Sequence, residues 1–348
     1  MACCGRSCPG GGQSGDGSSI KQTGMLPLFH PLDGIVVAEP TLPDEAPDGE
    51  GYWAGGPSAI FDDEAGLWML SYRLRTPLRD RGQAGRGEET VVAVSTDGRE
   101  FERVWSAHKD DFEATSIEKS CIMRAPDGGY RLYVSYSSRH DFRWHIDLLQ
   151  AEDVRAFDPA SRVNVLSPDA TGTEGVKDPV IYIVGGLWHL YANMAPRPAD
   201  GHWPTLDRMH RESNAFVSGE VACPTGLAIS ADGVRFQWQG EVIPCGASWD
   251  RYLARISALV YTPPCFTAFY DGRPNSGANY SDNPGMAITY DMRTFYKVDV
   301  GKPLLHSPYG RGSLRYVEVV RVADRLHYFY EMEREDHAHD LRTAVVFL

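Results

Sequence analysis

The sequence predicts an all-β chain, a five-bladed β-propeller of four-stranded antiparallel blades around a central channel. Three observations predict it: a hairpin pattern that recurs five times, a third strand after each hairpin, and almost no long amphipathic helical pattern. Self-similarity at a spacing of roughly 60 residues suits a four-stranded blade with some enlarged loops better than a solenoid repeat.

The hairpins are PSAIFDDEAGLWMLSYRLR from Pro57, SCIMRAPDGGYRLYVSYSS from Ser120, VKDPVIYIVGGLWHLYANM from Val176, ISALVYTPPCFTAFYDGR from Ile256 and YVEVVRVADRLHYFYEMER from Tyr316. Each joins two short apolar, β-rich runs through a turn of Asp, Gly or Pro. The third strands are TVVAVSTDGREF from Thr90, WHIDLLQAED from Trp144, TGLAISADGVRF from Thr225, PGMAITYDMRTF from Pro284 and LRTAVVFL from Leu341. Two of them end in Ser-x-Asp-Gly-x-x-Phe, the signature of a strand, a tight turn and an outer strand. Blade five reaches the end of the chain at its third strand, so MLPLFHPLDGIVVAEP, Met25 to Pro40, is expected to supply its fourth. Residues 25–348 are read as a single domain.

Composition bounds the function. A formal net charge of −13 argues against nucleic acid or an anionic membrane as the main partner, and no apolar run approaches the roughly 18 residues of a membrane helix. A small polar substrate fits better. The first 24 residues are Gly/Ser-rich, lack the apolar core of a secretory signal and are expected to be disordered, with Met25 as an alternative start. Cys3, Cys4 and Cys8 have no matching His or second Cys pair, so a flexible leader is the better reading than a metal clip. The widely spaced Cys121, Cys223, Cys245 and Cys265 suit reduced thiols in a cytoplasmic protein. No nucleotide-binding glycine loop, nucleophile elbow or CxxC pair is present. No cofactor is called for, although a structural Ca²⁺ in the channel is compatible with the fold. His337 and His339 alternate with carboxylates, in a loop better read as solvated than as metal-binding.

In a propeller the first strand of each blade lines the channel, so the residues just before these strands build one mouth. Those positions read Gly56, Glu118, Asp178, Arg255 and Arg315. Charge taken out of water must be paired. Glu118 and Asp178 are therefore either salt-bridged to Arg255 and Arg315 as a structural brace, or they do acid/base work in a polar pocket whose arginines orient a substrate.

Repeats with an Asp-Pro lead-in, a Gly turn, an LWxLY-like strand and a Ser-x-Asp-Gly-x-x-Phe strand resemble the five-bladed propeller glycosidases, such as glycoside hydrolase families 43, 32 and 62, over roughly residues 50–348. The resemblance implies a carbohydrate-active enzyme, a glycoside hydrolase or transglycosidase, with a small carbohydrate or glycoside as its partner. It gives Asp178, in Lys177-Asp178-Pro179, the role of tuning the acid or stabilising the transition state. It also implies a mid-chain glutamate acid. The long mouth loop APRPADGHWPTLDRMHRESNAFVSGEVACP, with His202, Trp203, Asp207, His210, Arg211 and Glu212, offers Glu212 for that role, against the alternative of an ordinary solvated glutamate.

Blade one departs from the pattern, with Gly56-Pro57 where an Asp-Pro would stand. Glu118 is then the candidate base or nucleophile, with Asp48 or Glu50 as substitutes from the preceding loop. Substrate-binding candidates are Trp53, as an aromatic floor or equally a core aromatic, together with His210, Arg255, Asp271, Arg273 and Arg315. Two arginines facing the pocket favour an anionic sugar. The loop carrying Asp271 and Arg273 also offers Asn279 and Tyr280, and the one with Arg79, Asp80 and Arg81 is read as a basic flap. The other class of function is a propeller that kept its pocket but lost hydrolysis, serving as a carbohydrate-binding or interaction module, and Gly56 is the feature that favours it.

Overall fold

A computed structural model describes residues 26–42, 49–77, 86–199, 201–298 and 301–348. The cysteines of the leader, Asp48, and the Arg79-Asp80-Arg81 flap lie outside the described residues.

Each predicted hairpin forms, and each is extended by the predicted third strand. The first antiparallel sheet runs through β2 (Trp53–Asp62), β3 (Leu67–Thr76), β4 (Arg86–Ser95) and β5 (Glu102–His108), after an early strand β1 (Ile35–Ala38). The second comprises β6 (Ala114–Arg124), β7 (Tyr130–Ser138), β8 (Trp144–Ala151) and β9 (Val163–Leu166). The third comprises β10 (Thr173–Val184), β11 (Leu187–Pro196), β12 (Thr225–Ser230) and β13 (Gln237–Ile243). The fourth comprises β14 (Leu253–Thr262), β15 (Cys265–Arg273), β16 (Asn283–Thr289) and β17 (Phe295–Lys297). The last comprises β18 (Leu314–Val322), β19 (Arg325–Glu333) and β20 (His339–Phe347), and β1 pairs antiparallel with β20 as its fourth strand. One parallel bridge, Trp53 to His339, links this sheet to the first.

The turns after the third strands show why their sequences recur. Ser95 Oγ accepts from the backbone N–H groups of Asp97 and Gly98, and Asp97 Oδ1 accepts from those of Arg99 and Glu100. Ser230 and Asp232 repeat the arrangement, and Thr289 with Asp291 does so again. The residue after each Asp is left-handed: Gly98 at φ 72°, Gly233 at 70° and Met292 at 63°, the last accepting a strain that glycine avoids.

Hydrophobic cores lie between successive sheets. Leu132 and Val134 pack on Met69 and Val92; Tyr133 and Leu148 on Leu190 and Ala228; Tyr191 and Leu227 on Ile256 and Tyr270; Phe269 on Tyr328 and Met332; and Phe329 on Leu70 and Val91. The last seam brings the end of the chain back onto its first sheet. Each fully buried large side chain in these seams contributes about 1.5–3 kcal/mol.

Where the first strands begin, the pairing skips. The skip falls between Gly55 and Ser58, Ile117 and Ser120, Lys177 and Val180, and Arg315 and Glu318, with a smaller irregularity between Ile256 and Ala258. These bulges turn the chain into a left-handed residue at Gly56 (φ 64°), Asp178 (57°) and Tyr316 (53°). Pairs flanking the bulges align Gly56, Glu118, Asp178, Ile256 and Tyr316. The expected set is thereby corrected: Arg255 and Arg315 stand one residue earlier, at the level of Lys177, opposite Asp271 and Glu331 on the second strands. The sequence frame slipped because a bulge adds a residue that strict alternation does not anticipate.

The bulge makes two adjacent glycines unequal. A Cβ on Gly55 would fall on the Glu331 carboxylate, which Arg315 and His339 hold in place, whereas one on Gly56 would meet Lys119 at 3.4 Å, ordinary contact, at the cost of a left-handed alanine. Gly56→Ala is expected to lower stability by about 1–2 kcal/mol and Gly55→Ala by about 3 kcal/mol, measured by urea unfolding. The reverse order would count against this register.

Candidate functional site

The starts of the first strands and the ends of the second strands meet at one end of the molecule. Five cross-strand pairs stand at the same level: Gly55 with Arg73, Ile117 with Tyr136, Lys177 with Asn193, Arg255 with Asp271 and Arg315 with Glu331. The side chains of this layer and the loops above it enclose a cavity of about 140 Å³. Ser213, Asn214 and Phe216 from the loop after β11, and Asn279, Tyr280 and Asp282 from the loop after β15, form part of its wall. A larger cavity of about 1010 Å³ opens at the opposite end of the sheets, lined by the far halves of the first strands. It is the bigger space, but most of its wall is apolar, and the convergent ionisable groups are in the smaller one.

Those groups form one network. Arg73 Nε donates to Glu118 Oε2 at 2.8 Å, and Arg73 Nη2 lies 3.5 Å from Glu331 Oε2. Arg315 Nε donates to Glu331 Oε1 at 2.8 Å, and Arg315 Nη1 lies 3.4 Å from Asp282 Oδ2. Arg255 Nη2 donates to Asp271 Oδ2 at 2.7 Å and Asp282 Oδ2 at 3.1 Å, while its Nη1 donates to the Tyr316 hydroxyl at 3.0 Å. Asp178, fully buried, accepts from the Lys119 backbone N–H at 3.3 Å and the Tyr316 hydroxyl at 3.4 Å, with Arg255 Nη1 at 3.5 Å and Lys177 Nζ at 3.7 Å. Arg273 Nη1 lies 3.3 Å from Asp282 Oδ1 and donates to Asn279 at 2.7 Å.

The network sorts its acids. Burial would raise Glu118, but Arg73 above all, with Lys177, Arg75 and Arg86, holds it well below the carboxylate range. Glu331 is held low in the same way by Arg315, Arg73 and His339, and Asp282 by Arg273, Arg255 and Arg315. Asp271 goes the other way: burial, opposed by Arg255 and reinforced by Asp282, pushes it up to about 6. Burial lowers Lys177 despite Asp178 and Glu118 beside it. Burial would raise the Tyr280 phenol, but Arg75, whose Nη2 donates to it at 2.8 Å, outweighs burial and holds it below its usual value. Both carboxylates in the cavity wall, Glu118 and Asp282, are thus anions suited to base, nucleophile or charge-stabilising roles. Neither is a neutral acid.

Arg255, Arg273, Arg315 and Glu118 line the cavity as expected; Asp178 lies directly beneath it, behind Tyr316. Glu118 is salt-bridged, but to Arg73 rather than to Arg255 or Arg315. Asp271 does not line the cavity. It is fully buried, holding Arg255 and accepting from the Tyr316 backbone N–H at 3.0 Å. Trp53 is 1% exposed, stacked on His339 with Arg75 and Arg315 over its ring, so it is a core aromatic and not a sugar floor. His210 ends the helix α1 (Trp203–His210), Nε2 2.7 Å from Glu174, and is not in the cavity wall. Glu212 follows in the turn Arg211–Ser213; its side chain lies outside the described residues, while Ser213 and Asn214 line the cavity. Glu50 pairs with Arg311 at 2.6 Å. One residue along β6 from Glu118, Lys119 Nζ donates to the Pro179 carbonyl at 3.4 Å and lies 3.7 Å from Glu318. Among the described residues no three His, Cys, Asp or Glu side chains group to hold a metal.

The sequence reading missed Arg73, Arg75, Lys177, Asp282, Tyr316 and Glu331. The signal was available for some of them: the ends of the second strands, Arg73-x-Arg75 in SYRLR and Glu331 in YEMER, carry charge at the same point in the repeat.

No protein-family model and no curated protein matches the sequence. Solved structures do. A glycosyl hydrolase from Bacteroides ovatus is 14% identical with a TM-score of 0.60, covering 89% of this chain and 91% of its own. The β-1,2-mannobiose phosphorylase from Listeria innocua, in complex with β-1,2-mannobiose, is 12% identical with a TM-score of 0.60, covering 88% and 92%. The chain shares the fold of the propeller glycosidases. A third structure, from the GH130 family of mannoside phosphorylases with its hydrolases of β-1,2-mannosidic linkages in Candida mannan, is 14% identical with a TM-score of 0.57, covering 88% and 96%. At these identities the likeness is one of fold. It bears out the resemblance read from the repeats at the level of the fold.

Two carboxyls raised by burial make stability pH-dependent. Glu318, offset only in part by Lys119, is raised from 4.5 to about 7, and Asp271 from 3.8 to about 6. A raised carboxyl binds its proton more tightly in the folded chain, so its contribution is full below the unfolded value and is lost as pH rises through the folded one. The depressed imidazoles of His189, His327 and His339 act in the opposite sense up to their unfolded value, so the measurement is a difference: the melting temperature of the wild type is expected to fall relative to that of Glu318→Gln between about pH 5 and pH 8, and a constant difference would show that Glu318 does not titrate there.

Proposed function

We propose that the chain from about residue 25 to residue 348 is a single five-bladed β-propeller, and that it is a carbohydrate-active enzyme cleaving or transferring a glycosidic bond at the channel mouth. The observation that carries the reading is the cavity built by strand starts from successive sheets, with two ionised carboxylates set among cations, in a fold shared with glycoside hydrolases and mannoside phosphorylases. A cytoplasmic location is proposed from the four unpaired thiols of the described residues, and no described helix is long and apolar enough to cross a membrane.

Glu118, held ionised by Arg73, is the base or nucleophile in this proposal. Asp178 steadies positive charge developing on the sugar through Tyr316 and Arg255, and Glu212, on the turn whose neighbours line the cavity, protonates the leaving oxygen. A second reading, a carbohydrate-binding module, is favoured by Gly56 at the position of the missing blade-one acid and by the ionised state of both carboxylates in the cavity wall.

A chromogenic glycoside panel tests the choice. At least one glycoside is expected to turn over, with Glu118→Gln and Asp178→Asn each lowering kcat on the order of 10²-fold or more. Turnover indifferent to both changes removes these residues from the chemistry. Sugar binding without any turnover selects the module.

A further inference from the structure

We propose that the mouth cavity is an oxyanion site, binding a phosphate, sulfate or carboxylate group against Arg73, Arg75 and Arg273. It deepens the functional proposal and depends on it only for the sugar that accompanies the anion.

The first argument is unmet donors. Arg73 is 1% exposed, Arg75 7% and Arg273 4%, and Arg73 Nη1, Arg75 Nε and Arg273 Nε have no hydrogen-bond partner in the protein. A buried N–H left unpaired costs about 1–3 kcal/mol, more on a charged group, so three on cations that line one cavity favour an anion beside them. Water can meet a donor. It cannot meet the charge.

Charge is the second argument. Arg73, Arg75, Arg86, Lys177, Arg255, Arg273 and Arg315 line the cavity, and five carboxylates, Glu118, Asp178, Asp271, Asp282 and Glu331, answer them. With Arg86 set aside, six cations face five carboxylates among the described residues, and the cation left over is Arg75, inside a chain whose net charge is −13. Among the described residues no carboxylate stands within salt-bridge distance of Arg75, whose guanidinium lies 4.0 Å over the Trp53 ring and 4.9 Å from that of Tyr280. An unanswered buried cation is expensive unless something anionic is bound nearby.

Size and shape agree. About 140 Å³ holds several waters, enough for one tetrahedral or carboxylate group and the edge of a sugar. Guanidinium forks recognise such groups bidentately, and the low local dielectric strengthens the contact.

The test is calorimetric titration of the full chain with sodium phosphate, sodium glucuronate and glucose at matched ionic strength. One or both anions are expected to bind, with glucose silent at the same concentrations. Arg75→Gln is expected to weaken anion binding about tenfold or more, while Arg321→Gln, in the wall of the opposite cavity, leaves it unchanged. If Arg75→Gln melts too low to titrate, Arg75→Lys keeps the charge but loses the fork, and the same weakening is expected. Phosphate bound without glucuronate identifies a free anion as the source, and glucuronate without phosphate a sugar-borne carboxylate; either supports the site. Binding of neither anion, or equal loss in Arg321→Gln, overturns it. Anion binding with no turnover of any glycoside leaves the site standing and removes the glycosidase, whereas turnover without anion binding does the reverse.

Discussion

The buried charge lattice where the first strands begin is the constraint on which the rest depends. Arg255, Arg315 and Arg73 each answer acids from more than one segment of the chain, and Asp282 by itself contacts three arginines. Such a lattice tolerates removal of a whole pair better than loss of one member, which strands its partner without water. Through it the first strands of the sheets become mutually dependent: Arg255 on β14 touches Tyr316 on β18 and Asp178 on β10. The hydrophobic seams give cohesion. The ions dictate which residues face one another.

That dependence explains how one layer serves both structure and chemistry. Glu118 and Asp282 are ionised because arginines hold them so, and the same arginines keep donors unspent. A brace and a binding wall are here the same side chains. The choice posed by the sequence, between salt-bridged acids and working acids, was therefore falsely exclusive for Glu118: it is salt-bridged and in the wall.

Much of the strand architecture was legible. Turn chemistry such as Ser95-x-Asp97-Gly98 acts over a few residues, and alternating apolar runs declare a strand without outside help. The pairing of β1 with β20 was also accessible, because a repeat lacking its fourth strand calls for one. Register at the mouth was not, since the bulges at Asp178 and Tyr316 insert a residue that no alternation marks. Trp53 shows a second limit: an indole ahead of a strand reads alike whether it faces a sugar or lies between two arginines. Arg73 and Glu331 were missed because the first strands alone were taken as channel-facing, although the second strands end at the same level.

The pairing of β1 with β20 has a bearing on how the molecule is made. Ile35 meets Thr343 across roughly 300 residues, so β1 waits for β20 to be made. Until then β1 has no sheet and the free edge of β19 has no neighbour, and both are templates for pairing with another copy. Synthesis that stalls late leaves four sheets complete and the fifth unpaired. A chaperone therefore matters most while β20 is being made, where one missing strand separates a paired sheet from a self-associating one.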